Sequence, residues 1–176
     1  MSRRPEHAPT AEGAETQAPG RDAGSGDLAT GARDASNGRI LVVEDDADAR
    51  DLISHLLERE GYDVVPASGG AQALDLLRET PVDVILLDVM MPEVDGLEVC
   101  RRLRRSPETA AIPVVLLTAL DDMETRAAGM HLGVSEFLTK PIVKEELYRR
   151  VATQVGVRRR GATLDRVRSR LDALQG

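Results

Sequence analysis

Two apolar patterns alternate along the chain from residue 39 onward. Short aliphatic runs, typical of strands buried on both faces, are each followed by a segment with apolar positions three or four residues apart, which is typical of amphipathic helices. The predicted strands are 40–43, 62–67, 82–88, 112–119 and 134–138. The predicted helices are 47–60, 68–79, 95–105, 121–131 and a last one that begins near Lys144. Asp46 and Asp95 are the candidate N-caps of the first and third of these helices. This repeat predicts an α/β fold, a flavodoxin-like (βα)5 doubly wound parallel sheet with strand order 2-1-3-4-5.

Segments of different composition flank this repeat. Residues 1–38 are rich in Gly, Pro, Ala and charge, and Leu28 is their only large aliphatic residue after Met1, so we expect a disordered N-terminal extension. Residues 39–156 form the predicted domain. Residues 157–176 form a basic, amphipathic C-terminal helix or tail, which could extend the last helix, fold back on the domain or pack against a partner.

The charge is unevenly distributed. The net charge is −7, but residues 39–156 carry 22 acidic and 13 basic side chains, whereas residues 157–176 carry six arginines and two aspartates. An acidic domain suits cation binding, and aromatic residues are only 2% of the whole chain, so no direct DNA binding is expected. The single cysteine, Cys100, excludes an intrachain disulfide. Without an apolar run long enough for a membrane span or a signal peptide, we expect no membrane association and a soluble, cytoplasmic protein.

Polar side chains follow four of the five predicted strands. Glu44 and Asp45 follow the first, Asp88 ends the third, Thr118 ends the fourth and Lys140 follows the fifth. In the order 2-1-3-4-5 these four strands are neighbours, so the side chains should meet at the carboxyl edge of the sheet. Three carboxylates repel one another unless a cation lies among them, and hard oxygen ligands favour Mg²⁺. A lysine and a hydroxyl beside a metal suit phosphoryl transfer, with a carboxylate as nucleophile.

These residues carry a resemblance to a known family. The strings ILVVEDD, DVILLDVMMPEVDG, PVVLLTA and EFLTKP resemble the receiver domain of two-component response regulators, over residues 39 to about 156. The resemblance implies that Asp88 is the phosphoacceptor. It also implies that Asp45, Asp88 and the backbone carbonyl of Met90 hold Mg²⁺, with Glu44 acting on the metal through water.

The same resemblance implies roles on the other side of Asp88. Lys140 would pair with the phosphoryl oxygens, Thr118 would move to hydrogen-bond them, and Phe137 would be the aromatic switch that turns inward on phosphorylation. The Lys140–Pro141 bond is expected to be cis. Val143 stands where a capping Ser, Thr or Asp is usual, so a weaker start of the last helix is expected.

Two apolar residues flank the proposed phosphoacceptor. Met90 and Leu120 lie two residues after Asp88 and Thr118. Because both are bulky and apolar, they should hinder an attacking water, which predicts slow self-dephosphorylation.

The interpretation favoured by the sequence is a stand-alone receiver that is not an enzyme beyond its own phosphotransfer and dephosphorylation. Its expected partners are a sensor histidine kinase or histidine phosphotransfer protein and a downstream protein that contacts the last two helices, with a homodimer as a further option. Two alternatives stay open at this point. One is a binding or dimerisation module that uses the fold without phosphorylation, and the other is a hydrolase with an aspartate nucleophile, although such enzymes place a second acid where this chain has Met90.

Overall fold

The computed structural model describes residues 37–174, in which five strands alternate with five helices. The strands are β1 (Arg39–Val43), β2 (Asp63–Ala67), β3 (Val84–Asp88), β4 (Val114–Thr118) and β5 (Glu136–Thr139). The helices are α1 (Ala47–Arg59), α2 (Gly70–Glu79), α3 (Gly96–Arg105), α4 (Met123–His131) and α5 (Lys144–Leu174). Each element lies where the apolar pattern predicts one, with shifts of a few residues at some ends.

All five strands are parallel, and their order is β2-β1-β3-β4-β5. The predicted flavodoxin-like fold is therefore confirmed. The register places Val43 beside Leu87 and Asp88 beside Leu117, so the ends of β1, β3 and β4 lie side by side. The edge position of β2 accommodates Pro66, which has no backbone N–H to donate to a second neighbour.

The aliphatic strands bury side chains on both faces of the sheet. Alternating residues divide between two apolar clusters, since successive side chains of a strand point to opposite faces. One cluster packs under α2, α3 and α4 and includes Leu41 and Leu87. The other packs under α1 and α5 and includes Ile40 and Leu86. On α1, Ile53 and Leu57 are buried in this second cluster, whereas Leu52 is 61% exposed.

Local chemistry explains where several helices begin. Asp46 and Asp95 accept hydrogen bonds from the backbone N–H of Ala49 and Glu98, both at 2.8 Å, and so cap α1 and α3 as the sequence predicts. The expected weak start of α5 at Val143 is offset by Glu145 and Glu146, whose charges favour the first turn of a helix.

The domain boundary and the tail differ in part from expectation. Asn37 and Gly38 already belong to the fold, since the N–H of Asn37 donates to the carbonyl of Gly61 and Gly38 accepts from Asp63. The predicted disorder of the preceding segment falls on residues 1–36, which lie outside the described residues. At the other end, α5 continues without a break to Leu174, so the tail extends the last helix. No helix in residues 37–174 is long and apolar enough to cross a membrane.

The guanidinium of Arg104 joins two loops on the α3–α4 side. It donates hydrogen bonds to the carbonyls of Ala110, Ile112, Leu132 and Gly133, at 2.9 to 3.1 Å. The segment before β4 and the segment before β5 are thus held by one side chain of α3. Nothing in the sequence distinguishes this arginine from its neighbours.

Cys100 on α3 should resist thiol reagents. Its side chain is fully buried, and burial raises the pKa of its thiol to about 11, so the thiolate that reacts is scarce near neutral pH. At about pH 8, 5,5′-dithiobis(2-nitrobenzoic acid) should react far more slowly with the native protein than with the protein in denaturant, where a free thiol has a pKa of ~8.5. Equal labelling rates in the two states would contradict this burial.

Candidate functional site at the carboxyl edge of the sheet

The sheet brings the predicted polar residues to one place. Glu44 and Asp45 follow β1, Asp88 ends β3, and each of the three offers a carboxylate oxygen within 4.8 Å of the others. Glu44 and Asp88 are 1% and 4% exposed, whereas Asp45 faces solvent. The cluster is therefore anchored inside the protein and open on one side.

Lys140 links the two buried carboxylates. Its Nζ lies 2.7 Å from Oε2 of Glu44 and 3.2 Å from Oδ1 of Asp88. The backbone holds the lysine in this position, because the N–H of Lys140 donates to the carbonyl of Thr118 at 2.8 Å. The Lys140–Pro141 peptide bond is cis, as predicted.

The protonation equilibria reflect burial and pairing. Burial raises the pKa of the Glu44 carboxyl above its ordinary value, although the hydrogen bond from Lys140 opposes this rise. Burial alone would lower the pKa of Lys140, but the hydrogen bond to Glu44 and the charge of Asp88 together raise it. Lys140 contacts two carboxylates and Asp45 lies beside them, so three carboxylates stand against one ammonium group and the site retains an excess of negative charge when all are ionised.

That excess charge and the all-oxygen donor set fit a hard divalent cation. Buried carboxylates are costly unless they are paired, and one lysine cannot neutralise the two buried carboxylates together with the exposed Asp45 beside them. Asp45 and Asp88, with Glu44 beside them, would hold Mg²⁺, which commonly binds through one or two carboxylates and keeps several waters. The thioether of Met90 is a soft ligand that does not suit Mg²⁺, so any ligand from this residue would be its backbone carbonyl oxygen.

Thr118 and Phe137 lie on the other side of Asp88. The hydroxyl oxygen of Thr118 is buried and has no hydrogen-bond partner within the described part of the chain, which is costly for a polar atom. Phe137 is half-buried on β5 and packs against the core beneath α4. The guanidinium of Arg126 stacks 5.5 Å from the Phe137 ring centroid and donates to the hydroxyl of Thr139 at 2.7 Å.

Two glycines contribute to this arrangement, and no pattern along the chain predicts either role. Gly129 weakens the prediction of α4, but a Cβ there would lie 3.0 Å from Leu116 and 3.1 Å from the ring of Phe137. Gly96 begins α3 directly against the end of β3, where a Cβ would overlap the carbonyl of Asp88 and approach the Cα of Val89 to 2.9 Å. Both allow a helix to approach the site more closely than any other residue would.

Comparison with known proteins agrees with this geometry. The family model described as response regulator receiver domain matches residues 40–152. Over 113 residues the chain is 45% identical to a DNA-binding dual master transcriptional regulator, RpaA, from a Synechocystis species, and 44% identical to the response regulator MprA from a Mycobacterium species. These matches cover 64% of this chain and 47% and 48% of those proteins, so the chain spans about half the length of the curated relatives it matches.

A solved structure shows the same likeness. The signal receiver domain of a histidine kinase from Syntrophus aciditrophicus is 36% identical, with a TM-score of 0.64, over 68% of this chain and 90% of that one.

One sequence-based expectation is overturned by these relatives. The acidic charge and scarce aromatics led to the expectation of no direct DNA binding, yet RpaA, at 45% identity, is described as DNA-binding. That expectation is wrong because it used the charge of the matched domain alone, which describes only about half the length of such a regulator.

The contact between Gly96 and Asp88 generates a prediction. Gly96→Ala forces backbone atoms apart at the end of β3, and overpacking of this kind costs about 1–3 kcal/mol of unfolding free energy. Gly69→Ala is the matched control, since no atom lies within 4 Å of the new methyl group. Urea denaturation followed by circular dichroism measures both, and equal stabilities of the two variants would contradict the close approach.

The family model covers residues 40–152, and the sheet order and the acidic cluster with its bridging lysine agree with that match. The chain therefore belongs to the response regulator receiver domain family.

Proposed function

We propose that this protein is a phosphorylation-dependent switch in which Asp88 accepts a phosphoryl group from the phospho-histidine of a histidine kinase. One observation carries the proposal: Asp88 is buried at the end of β3, with the Nζ of Lys140 3.2 Å from its Oδ1 and two further carboxylates within 4.8 Å. A carboxylate so placed can serve as nucleophile while cationic groups neutralise the charge of the transferred group.

In the proposed reaction an oxygen of Asp88 attacks phosphorus and forms an acyl phosphate. The bond between phosphorus and the donor's imidazole nitrogen breaks, and its electron pair returns to that nitrogen. The ammonium of Lys140 donates a hydrogen bond to one phosphoryl oxygen, and the contact between Lys140 and Asp88 weakens as a result. The hydroxyl of Thr118, which has no partner in residues 37–174, can donate to another phosphoryl oxygen. Mg²⁺, when bound, supplies charge neutralisation of the phosphoryl group.

A conformational change at the phosphorylation site would be transmitted through β4, β5 and α4. Thr118 ends β4, and Phe137 packs beneath α4 beside Gly129. A shift of Thr118 toward a phosphoryl oxygen therefore changes the space available to Phe137 and α4. We propose that output uses protein contacts of the surface formed by α4, β5 and the first half of α5.

The catalytic role proposed for the protein is limited to its own phosphorylation and dephosphorylation. The residue two positions after Asp88 is Met90, so no second acid stands where a phosphate-ester hydrolase would use one. The stand-alone arrangement and the cytoplasmic location that the sequence suggests stay predictions.

Asp88→Asn tests the phosphoacceptor directly. Incubated with acetyl phosphate and Mg²⁺, the unmodified protein should gain the mass of one phosphoryl group, whereas Asp88→Asn should gain none because an amide cannot act as the nucleophile. Asp75→Asn, an exposed aspartate of α2, is the matched control and should be phosphorylated normally. Removal of Mg²⁺ with EDTA should suppress the reaction.

Phosphorylation of Asp88→Asn to the same extent would refute the assignment of Asp88. An unmodified protein that gains nothing from acetyl phosphate or from a cognate kinase would favour the binding-module alternative. Sustained release of phosphate from small phosphate esters would favour the hydrolase.

Met90 and Leu120 generate a second prediction. Their side chains are 75% and 70% exposed, and they follow Asp88 and Thr118 by two residues, so we expect them to form an open apolar rim beside the proposed phosphoacceptor. Phosphorylated protein freed of donor should decay over many minutes, and Met90→Asn with Leu120→Asn should accelerate the decay roughly tenfold, equivalent to about 1.4 kcal/mol of activation free energy. Met130→Asn replaces a methionine of similar exposure, 66%, at the far end of α4 and should leave the rate unchanged. Decay of the unmodified phosphoprotein within seconds would contradict the shielding.

A further inference from the structure

Helix α5 extends well past the domain that it helps to form. Val155 is its last buried residue and lies beside Gly38, directly before β1, so α5 reaches the amino edge of the sheet at this point. From Gly156 to Leu174 every residue is exposed or half-buried. The projecting part therefore lies at the edge opposite to Asp88.

The projecting part, residues 157–174, carries an uncovered apolar stripe. Leu164, Val167, Leu171 and Leu174 are 52–79% exposed and are spaced three, four and three residues apart, which places them along one line of a helix. Such a stripe is narrow, as in helix–helix seams, whereas a helix that lies in a bilayer surface presents a broad apolar face. Within the described residues, nothing packs over this stripe.

The charges beside the stripe are all positive. If Leu164 and Leu171 are heptad positions a, with Val167 and Leu174 at d, then Arg168 occupies e and Arg170 occupies g, the positions that border a seam. The two acids of this segment, Asp165 and Asp172, both occupy b, away from the seam. In residues 37–174 neither Arg168 nor Arg170 forms an ion pair.

A second copy of the chain is a poor match for this surface. Two identical helices would offer arginine at e and g with no acid at either position, and in a parallel pair Arg160 would also meet its own copy at d. The N-terminal segment 1–36 is no better match, since Leu28 is its only large aliphatic residue after Met1. The surface instead complements a partner that combines apolar side chains with acidic borders.

We propose that residues 157–174 of α5 are a docking helix for an acidic protein partner, which covers the stripe with an apolar groove or helix and pairs its carboxylates with Arg168 and Arg170. This interaction surface is separate from the phosphorylation site and from the proposed output surface of α4, β5 and the first half of α5.

A designed helical peptide with Leu at a and d and Glu at e and g serves as the probe. Its binding to the full chain is measured by fluorescence anisotropy against two control peptides, one with Lys at e and g and one with Ser at a and d. We expect the Glu peptide to bind at least about tenfold more tightly than either control, because only it offers both the apolar seam and the opposite charge.

Variants of the chain locate the binding site. Leu164→Ser with Leu171→Ser should abolish binding of the Glu peptide, and Arg168→Glu with Arg170→Glu should weaken it about tenfold. Arg158→Glu with Arg166→Glu makes the same change in net charge away from the seam and should alter the affinity less than about twofold. Circular dichroism of each variant checks that the helix persists.

Three outcomes would overturn the proposal: equal binding of the Glu and Lys peptides, equal weakening by the two pairs of charge reversals, or no binding of the Glu peptide. Light scattering and sedimentation with vesicles of phosphatidylcholine and phosphatidylglycerol test the other occupants. A dimer or vesicle binding that requires Leu164 and Leu171, with no binding of the Glu peptide, would assign the stripe to a second copy or to a lipid surface.

Discussion

The central constraint on this molecule is the burial of like charges at one edge of a parallel sheet. Glu44 and Asp88 are both nearly inaccessible to solvent and both contact the ammonium of Lys140. Without that contact, two buried carboxylates side by side would disfavour ionisation and weaken the fold. The lysine is supplied from β5 and the acids from β1 and β3, so three strands must be in register for the site to exist. The site therefore exists only when the strands adopt this order.

This arrangement also explains why the site can respond to a small chemical change. Lys140 binds two carboxylates at once, and Thr118 has a buried hydroxyl without a partner in the described residues. A new anionic group on Asp88 would offer both side chains additional acceptors. The packing of Phe137 against α4, through the space left by Gly129, connects that local exchange to an external surface.

Much of the fold could be predicted from the sequence because its local and long-range signals agree. Aliphatic runs predicted the strands, and Asp46 and Asp95 predicted where two helices begin. The alternation of strands and helices restricted the topology. The polar residues at the strand ends predicted which side chains form the site. The tight approaches at Gly96 and Gly129 and the four hydrogen bonds of Arg104 were not predictable, since they depend on distances between elements rather than on any pattern along the chain. DNA binding was misjudged for a related reason, since the charge of one domain does not describe a regulator of twice its length.

The unbroken course of α5 has a mechanical consequence. At 1.5 Å of rise per residue, the part beyond the domain reaches about 27 Å. If this helix stays rigid, it pivots where Val155 lies beside Gly38, directly before β1. A tilt of a few degrees at the domain would be magnified into a displacement of ångströms at Leu174, so a small rearrangement in the body could be read as a change in position at the tip.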